Sequence, residues 1–322
     1  CYNSCCLIWY DGVKGDRILT KVTRMYLLAD VSLLAVAAIW GLTFVTVKNA
    51  IAILPPFAFN FYRFGLATLV MLIFALPTVK KLNKETVRAG IILGIMLFTG
   101  YSLQTLGLLY TTASNAGFIT GLSVVLVPIF SIVSSQEKPE LPVLIGAVSA
   151  TIGLGLIAGG NFGNFNIGDI LVLCCAVSFA LHILYVGKYS ALYSTIWLVT
   201  LQIGTVALLS GLCTFFFERG TNSFVPSVWL ELIITALFAT CFAFFVQNYM
   251  QRFTSPSHTA IILTTEPVFS VLFSVLLLQE TLTAGAAWGG LLIVVGMLCS
   301  EIKVSPRNKL GKAPLSTQGE QE

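Results

Sequence analysis

The sequence predicts an all-α membrane protein with ten transmembrane helices, arranged as two inverted five-helix repeats. The first observation behind this fold class is composition, because 57% of the 322 residues are hydrophobic, 10% are charged and the mean hydropathy is +0.90. An ordinary soluble domain carries about 25% charged residues, so that class is excluded. The second observation is a series of apolar runs of the length that crosses a bilayer as a helix. The third is an internal repeat.

Ten apolar runs of suitable length occur between residues 31 and 302. The loops between them are short, which leaves no room for a soluble catalytic domain. We expect a cytoplasmic N-terminal tail at 1–29, a first repeat at 30–159, a second repeat at 160–302 and a cytoplasmic C-terminal tail at 303–322. Because Met25 directly precedes the first run, we expect residues 1–24 to lie upstream of the natural start or to be a fragment end. The predicted spans lie near 31–50, 57–77, 88–109, 114–134, 141–159, 169–187, 195–217, 227–249, 257–278 and 283–302.

The internal repeat emerges when the chain is compared with itself at offsets of 143 and 139 residues. The two offsets differ by about one helical turn, as small insertions between duplicated helical units would produce. Because each repeat holds an odd number of spans, the two halves enter the membrane in opposite directions, which is a common plan of secondary transporters. The matched pairs are Gln104 with Gln247, Thr111 with Thr254, Ser114 with Ser257, Gly146 with Gly289 and Gly153 with Gly296 at the first offset, and Asp30 with Asp169, Gly65 with Gly204, Pro128 with Pro267, Phe130 with Phe269 and Ser131 with Ser270 at the second.

The positive charges predict the orientation. Most of the 18 lysines and arginines fall in alternate loops, on the side that also holds both termini. The opposite side holds only Lys48 and Arg219, and Arg63 lies within the second span. Cytoplasmic loops carry an excess of Lys and Arg, so we expect both termini to be cytoplasmic.

Glu266 is a carboxylate inside a strongly apolar run, and Pro267 follows it directly. In a helix over 257–278 it would lie roughly 14 Å deep, near the middle of a ~30 Å hydrocarbon core. It is either a working residue facing a cavity or a neutral group bonded to a neighbouring helix. Pro267 withdraws a backbone donor and favours a kink, as does its counterpart Pro128. At the smaller offset Glu266 falls opposite Val127, and a carboxylate that is not repeated favours a functional role.

Arg63 is the other deeply placed charge, roughly 10 Å inside its span. It pairs with a carbonyl or a carboxylate, extends its side chain to the interface, or binds an anion.

A polar face is predicted on the sixth span, where Ser178, His182, Tyr185 and Tyr189 are spaced by one helical turn. His182 is either a proton carrier or a neutral side chain hydrogen-bonded between helices. Similar polar positions occur on the first, third and eighth spans. The paired glutamines of the two repeats bind substrate or each other, and Trp40 walls a cavity or fills a helix interface. The candidate substrate-binding residues are Trp40, Thr43, Tyr101, Gln104, Ser178, His182, Tyr185, Gln247 and Asn248.

Several classes of chemistry are not expected. Two histidines, one midplane carboxylate and no metal-ligand spacing argue against a membrane-embedded enzyme, and no nucleotide-binding loop is present. The cysteines within the spans are interpreted as small core residues. We therefore expect no catalytic residue, metal or cofactor and no nucleic-acid partner. The expected partners are a small-molecule substrate and the lipid bilayer, and the oligomeric state stays open.

Several short motifs, in their order along the two repeats, resemble the EamA family of the drug/metabolite transporter superfamily. The first half contributes Ala38 to Phe44 (AIWGLTF), Pro55-Pro56 with Arg63, and Ala116 to Gly121 (AGFITG) leading to Pro128; the second contributes Gly168-Asp169, Thr264 to Phe269 (TTEPVF) and Gln279-Glu280.

The resemblance implies a central cavity between the repeats and export of small metabolites, amino acids or amphipathic drugs by alternating access across the plasma (inner) membrane. Glu266 would then couple transport to protons or stabilise a cationic group. The alternative is an exchanger of phosphorylated metabolites or nucleotide sugars, which would require clustered Lys or Arg facing the cavity. The chain offers only Arg63 at depth.

Overall fold

The structure is a computed structural model that describes residues 25–42, 46–47, 50–111, 116, 119–135, 140–157, 166–218, 226–278 and 282–300. Thr43 and Lys48 lie outside the described residues. So do Phe44, Gly117, Phe118, Gln279 and Glu280 of the motifs, and most of both predicted tails.

Helices account for nearly all of the described chain. The sequence predicts single helices over 227–249 and 257–278, whereas the structure divides the first by a π-helical segment and breaks the second at a turn. The helices are α1 (Met25–Leu42), α2 (Pro56–Ala75, continued by a 3₁₀ segment, Leu76–Lys81), α3 (Lys84–Gly107), α4 (Ser123–Ser135), α5 (Leu141–Ile157), α6 (Ile167–Ser190), α7 (Thr195–Phe217), α8 (Pro226–Ile234), the π-helical segment Thr235–Phe242, α9 (Ala243–Met250), α10 (Pro256–Leu263), α11 (Glu266–Leu278) and α12 (Ala284–Ser300).

Six helical stretches of the described chain are long and apolar enough to cross a membrane, which makes this a multi-pass membrane protein. Shorter apolar helices lie at Ile119–Ile132, Leu141–Ile157 and Ala284–Cys299. The count of ten spans stays a prediction. The six long stretches are Met25–Leu42, Pro56–Lys81, Lys84–Gly107, Ile167–Ser190, Thr195–Phe217 and Val228–Met250.

Polar side chains fix where the long helices begin. Asn83 caps α3 by accepting a hydrogen bond from the backbone N–H of Thr86 at 2.8 Å. Asn166 and Asp169 form a reciprocal capping box at the start of α6. Glu218, at the end of α7, accepts hydrogen bonds from the first N–H groups of α2 at 2.9 and 2.7 Å. That contact anchors α2, the helix that carries Arg63, to α7.

Two pairs of helices that the repeat relates to each other pack together. Adding the smaller offset, 139 residues, to the residues of α2 gives residues of α7. These two helices are antiparallel, because Phe61 lies against Gly211 and Thr68 against Gly204. The larger offset converts α5 into α12, which pack with their backbones in close contact.

Glycine permits the close approach of α5 and α12. A Cβ atom on Gly153 would lie 2.4 Å from the carbonyl oxygen of Gly289, and one on Gly296 would lie 2.7 Å from that of Gly146. The order of these two pairs shows that α5 and α12 are antiparallel. Small residues at such crossings are typical of membrane helix interfaces.

Candidate functional site

The π-helical segment Thr235–Phe242 forms the centre of the candidate site. Its wider turn is visible in the Thr240 hydroxyl, which donates to the carbonyl oxygen of Thr235, five residues earlier, at 2.9 Å. Two other helices bond to this segment. The indole Nε1 of Trp40 on α1 donates to the carbonyl oxygen of Ala239 at 2.9 Å, and Nε of Arg63 on α2 donates to Oγ1 of Thr240 at 2.8 Å. π-Helical insertions in α-helices are frequent at functional sites.

Arg63 is almost fully buried, with 3% of its surface exposed. Its guanidinium carbon lies 5.2 Å from the ring centres of both Phe64 and Tyr101, within the range of a cation–π interaction. Together with the bond to Thr240, these contacts stabilise a cation inside the bundle. The hydroxyl and aromatic partners are ones that the sequence does not predict.

Glu266 lies at a break between two helices. α10 ends at Leu263, residues 264–265 form a turn, and α11 begins with Glu266. The hydroxyls of Thr264 and Thr265 donate back to carbonyl oxygens of α10 at 2.6 and 2.7 Å. The carboxylate is therefore at the positive end of the α11 dipole, and Pro267 occupies a first-turn position where its missing N–H breaks no helical bond.

Glu266 remains partly exposed even though Thr264 and Thr265 beside it are buried. Its charge interacts electrostatically with that of Arg63 and with Tyr101. Among the described residues no direct ion pair joins Arg63 to Glu266; the ion pair found there is His258 with Asp30 at 3.1 Å. The two embedded charges are thus near each other without being in contact.

Aromatic rings form a connected group beside Arg63. Tyr101 lies 5.4 Å from Phe179 between ring centres, and Phe244 lies 5.6 Å from Trp40, 6.3 Å from Tyr101 and 6.1 Å from His182. Phe244 is buried, whereas Trp40 and Tyr101 keep part of their surface accessible. Tyr101 therefore presents a partly accessible ring against the buried cation, and Trp40 presents another on the same aromatic group.

The predicted polar face of α6 packs mainly against α3 and α7. Ser178 donates to the carbonyl oxygen of Met96 on α3 at 2.8 Å, and His182 Nε2 lies 2.7 Å from Oε1 of Gln202 on α7. Tyr185 and Tyr189 pack in an apolar cluster with residues of α3 and α7. His182, which lies on this face, also contacts the aromatic group through the ring of Phe244.

The repeat-related amides occupy different environments. Gln104 is partly exposed and donates to the hydroxyl of Thr120 at 3.3 Å. Gln247 is 2% exposed, and its Oε1 has no hydrogen-bond partner among the described residues. Asn248 donates to the carbonyl oxygen of Phe244 in its own helix at 2.9 Å, and its Oδ1 is likewise without a partner there.

Sequence reasoning missed Thr240, Phe179 and Phe244. Thr240 had one weak signal, a hydroxyl within an apolar run, and the two phenylalanines had none that distinguishes them from other core residues. No group of three or more His, Cys, Asp and Glu residues suited to a metal ion occurs in the part of the chain that the structure describes.

Known proteins similar to this chain were found by sequence and by structure. The EamA-like transporter family matches residues 27–159 and again residues 166–301. An uncharacterized transporter of Archaeoglobus fulgidus is 39% identical over 306 residues, which are 94% of this chain and 94% of the relative. The uncharacterized transporter YvbV of Bacillus subtilis is 33% identical, covering 85% of this chain and 90% of its own. A solved crystal structure of a protein with 20% identity has a TM-score of 0.71 over 86% of this chain and 96% of that one, which shows a common fold.

Proposed function

The chain belongs to the EamA-like transporter family, and from that premise we propose that it is a secondary exporter of small metabolites, amino acids or amphipathic drugs that works by alternating access. Membership confirms the resemblance stated from the motifs and establishes the transporter type. Export as the direction, and the substrate class, are parts of the proposal.

The observation that carries the substrate class is the separation of Arg63 and Glu266. The two charges interact but form no direct ion pair among the described residues. The ring of Tyr101 contacts Arg63, and Trp40 belongs to the same aromatic group through Phe244. A guanidinium offers five N–H donors in a planar fork that suits a carboxylate; Thr240 accepts the bond from Nε and Tyr101 forms a further side-chain hydrogen bond, so donors remain for a ligand. A solute with an anionic group at Arg63, a cationic group at Glu266 and an apolar part against the rings matches this arrangement. Amino acids and amphipathic amines are of this type.

The helix packing supports the inverted repeat that alternating access requires. In the α5–α12 interface Gly153 faces Gly289 and Gly146 faces Gly296, and the 143-residue offset converts each pair into the other. A two-fold axis that exchanges two antiparallel spanning helices in this way lies in the membrane plane, as in inverted-repeat transporters. The ten-span arrangement with cytoplasmic termini in the plasma (inner) membrane is the topology we propose on this basis.

The broken helix supports a binding role for Glu266. Non-helical backbone at membrane depth is tolerated where it is buried in protein or lines a water-filled cavity. Discontinuous helices near the midplane form substrate and ion sites in secondary transporters. Glu266, at such a break, would bind a proton during the transport cycle or stabilise the cationic group of the substrate.

Transport by purified protein in proteoliposomes tests this function. Amino acids, amines and aromatic compounds are screened with and without an imposed pH gradient, for the unchanged protein, Glu266→Gln and the control Glu85→Gln. Glu85 is an exposed carboxylate in the first turn of α3. We expect gradient-driven accumulation of at least one compound, little change in Glu85→Gln, and loss of accumulation in Glu266→Gln. Substrate binding by Glu266→Gln separates the two roles, because it is largely retained where Glu266 binds a proton and weakened where it binds the cationic group of the substrate.

Two other results would decide against parts of the proposal. Flux that only equilibrates in all three proteins would make the protein a facilitator and return Glu266 to a structural role. Unchanged gradient-driven accumulation in Glu266→Gln would exclude that residue from proton coupling.

A further inference from the structure

Asp30 on α1 and His258 on α10 join the two halves of the chain by a contact between side chains. Oδ1 of Asp30 lies 3.1 Å from Nε2 of His258, and 20% and 13% of these side chains are exposed. The contact is an ion pair when the imidazole is protonated and a hydrogen bond when the neutral ring carries its proton on Nε2. The distribution of Lys and Arg predicts that this end of the bundle is cytoplasmic.

An apolar cluster separates this contact from the substrate region. Along α1 the cluster lies between Asp30 and Trp40, which are roughly 15 Å apart at the rise of an α-helix. Along α10 it lies between His258 and the break that precedes Glu266. A polar solute that entered from this end would have to part these packed side chains. The buried members are Val36 and Ala37 of α1, Val127 of α4, Ala180 and Ile183 of α6, Ala243 of α9, and Ala260 and Leu263 of α10.

The internal repeat relates this contact to a second one. Asp169 is the counterpart of Asp30, and it accepts a hydrogen bond of 2.5 Å from the hydroxyl of Thr111. The counterpart of Thr111 is Thr254, which lies shortly before His258. In both contacts an aspartate near the start of the first helix of one half bonds to the chain that follows the third spanning segment of the other half. In an inverted repeat two such contacts lie at opposite ends of the bundle.

The contact of Asp169 is part of a rigid joint. Asp169 is 2% exposed, and its Oδ2 accepts a hydrogen bond of 2.9 Å from the backbone N–H of Asn166 in the capping box of α6. Beside it the backbones of α3 and α6 lie close together, since a Cβ atom on Gly168 would be 2.6 Å from the carbonyl oxygen of Gly107. Separating Asp169 from Thr111 would therefore disturb a helix cap and a backbone contact.

The contact of Asp30 is built differently. The positions of the two glycines are taken there by Ala29 and Met250, whose side chains exclude the same approach of backbones. Asp30 and His258 meet through partly exposed side chains, and the N-cap of α10 is made by Ser255 through the backbone N–H of His258, not through its ring. The pair can therefore separate while α1 and α10 stay intact. Partly exposed pairs contribute little free energy, so a small difference in substrate affinity suffices to open this one.

We propose that the Asp30–His258 pair is a gate that closes the cytoplasmic end of the substrate region. The pair is joined while that end is closed, and it separates when α1 moves away from α10 and the apolar cluster opens. The inference rests on the proposed alternating access, in which one half of the chain moves against the other. Because each half supplies one member of the pair, that motion changes the distance between them directly.

Thiol labelling tests the gate without requiring transport. The reporter is Ala37→Cys, because Ala37 is fully buried within the apolar cluster. The purified full chain in detergent is treated with a negatively charged methanethiosulfonate, and mass spectrometry reads modification at this position separately from the native cysteines. His258→Asp breaks the pair, and His258→Asp with Asp30→His restores it in reverse. Controls in the same background are Glu85→Gln and Thr111→Val, which removes the hydrogen bond to Asp169.

We expect slow labelling of the reporter and a rate about tenfold higher in His258→Asp, because two carboxylates in contact repel each other and favour separation. An aspartate in the first turn of α10 is favoured by the helix dipole, so this variant should fold. The reversed pair should return the rate to within about threefold of the reporter alone, since attraction is restored. Glu85→Gln and Thr111→Val should leave the rate unchanged.

A cross-link tests whether the gate must open during transport. In Asp30→Cys with His258→Cys a short bis-methanethiosulfonate joins the two positions, and dithiothreitol releases them. We expect proteoliposome flux to stop in the cross-linked protein and to return on reduction, whereas the same reagent leaves the unchanged protein active. A merely structural contact would lose nothing by being held closed.

The two measurements separate the gate from the proposed function. An unchanged labelling rate in His258→Asp, a rate as high in the reversed pair as in His258→Asp, or continued flux through the cross-linked protein would each overturn the gate and leave the exporter proposal standing. Absence of flux with every compound would count against the exporter proposal, while labelling would still show whether the pair closes this end.

Discussion

The segment around Pro128 in the first half and its counterpart around Pro267 in the second differ in backbone and in charge. In the first half a turn at Leu122 precedes α4, which begins at Ser123 and continues as a helix through Pro128, and Val127 before this proline is fully buried. In the second half the chain breaks at residues 264–265, and the position of Val127 is taken by Glu266 at the start of α11. The turn therefore lies about one helical turn closer to the proline in the second half, and a carboxylate is introduced at that place.

The same difference separates α3 from its counterpart. The larger offset places α3 (Lys84–Gly107) opposite α8, the π-helical segment and α9. α3 is a continuous helix, whereas its counterpart contains the π-helical segment that receives the bonds from Trp40 and Arg63. By contrast α5 and α12 match in length and pack through equivalent glycines. The α5–α12 interface therefore keeps the symmetry of the repeat. The irregular backbone of the second half departs from that symmetry, and it is the part to which α1 and α2 of the first half bond.

Moving the carboxylate to the first half is the strongest way to test this difference. In the double variant Val127→Glu with Glu266→Val the number of embedded charges is unchanged. Because Val127 is fully buried and lies one turn inside α4, beyond the free N–H groups of its first turn, a carboxylate there costs several kcal/mol. We expect no transport in proteoliposomes and a large loss of thermal stability.

The single variants separate the two effects. Glu266→Val alone should abolish transport while leaving the protein folded, and Val127→Glu alone should carry the loss of stability. Restored transport in the double variant would show that the two positions are equivalent, against the asymmetry argued here.

Removing the hydroxyl of Thr240 tests the π-helical segment. Thr240→Val deletes the acceptor for Arg63 Nε, and a hydrogen bond to a charged group contributes about 1.5–3 kcal/mol. We expect transport at limiting substrate to fall by about tenfold or more, measured as initial flux in proteoliposomes.

The control for this prediction is Thr99→Val on α3. Thr99 also donates to a carbonyl of its own helix, that of Ile95 at 2.9 Å, but the contact is exposed and involves no charge. Equal flux in Thr240→Val and Thr99→Val would mean that the bond to Arg63 contributes nothing to transport.

Sequence alone predicted an all-helical membrane fold and the two charges within apolar runs, because such runs and charges are visible in a list of residues; it did not predict where the helices over 227–249 and 257–278 are divided. It could not predict the π-helical segment, since Thr235–Phe242 is apolar apart from its two threonines and no periodicity marks a change of helix type. The face of α6 that carries Ser178 and His182 was visible from its spacing, but which neighbours it meets depends on the packing of α3 and α7. The partner of Arg63 was hidden for the same reason, since Thr240 lies far away in sequence.

Adjacent glycines of α12 provide the finest test of the symmetric part of the fold. A Cβ on Gly289 would lie 2.4 Å from the carbonyl oxygen of Gly153, so Gly289→Ala must separate two backbones and should destabilise the protein by about 1–3 kcal/mol. A Cβ on Gly290 would make an ordinary contact with Val268 at 3.5 Å, and the residue opposite it in the repeat, Ala147, already has a methyl group. Gly290→Ala should therefore raise stability by up to about 1 kcal/mol, because alanine favours a helix. Thermal unfolding of both variants in one detergent measures the signs. Opposite changes in stability at these neighbouring positions would show that the close approach of the α5 and α12 backbones stabilises the protein. Equal changes would show that this close approach makes no measurable contribution.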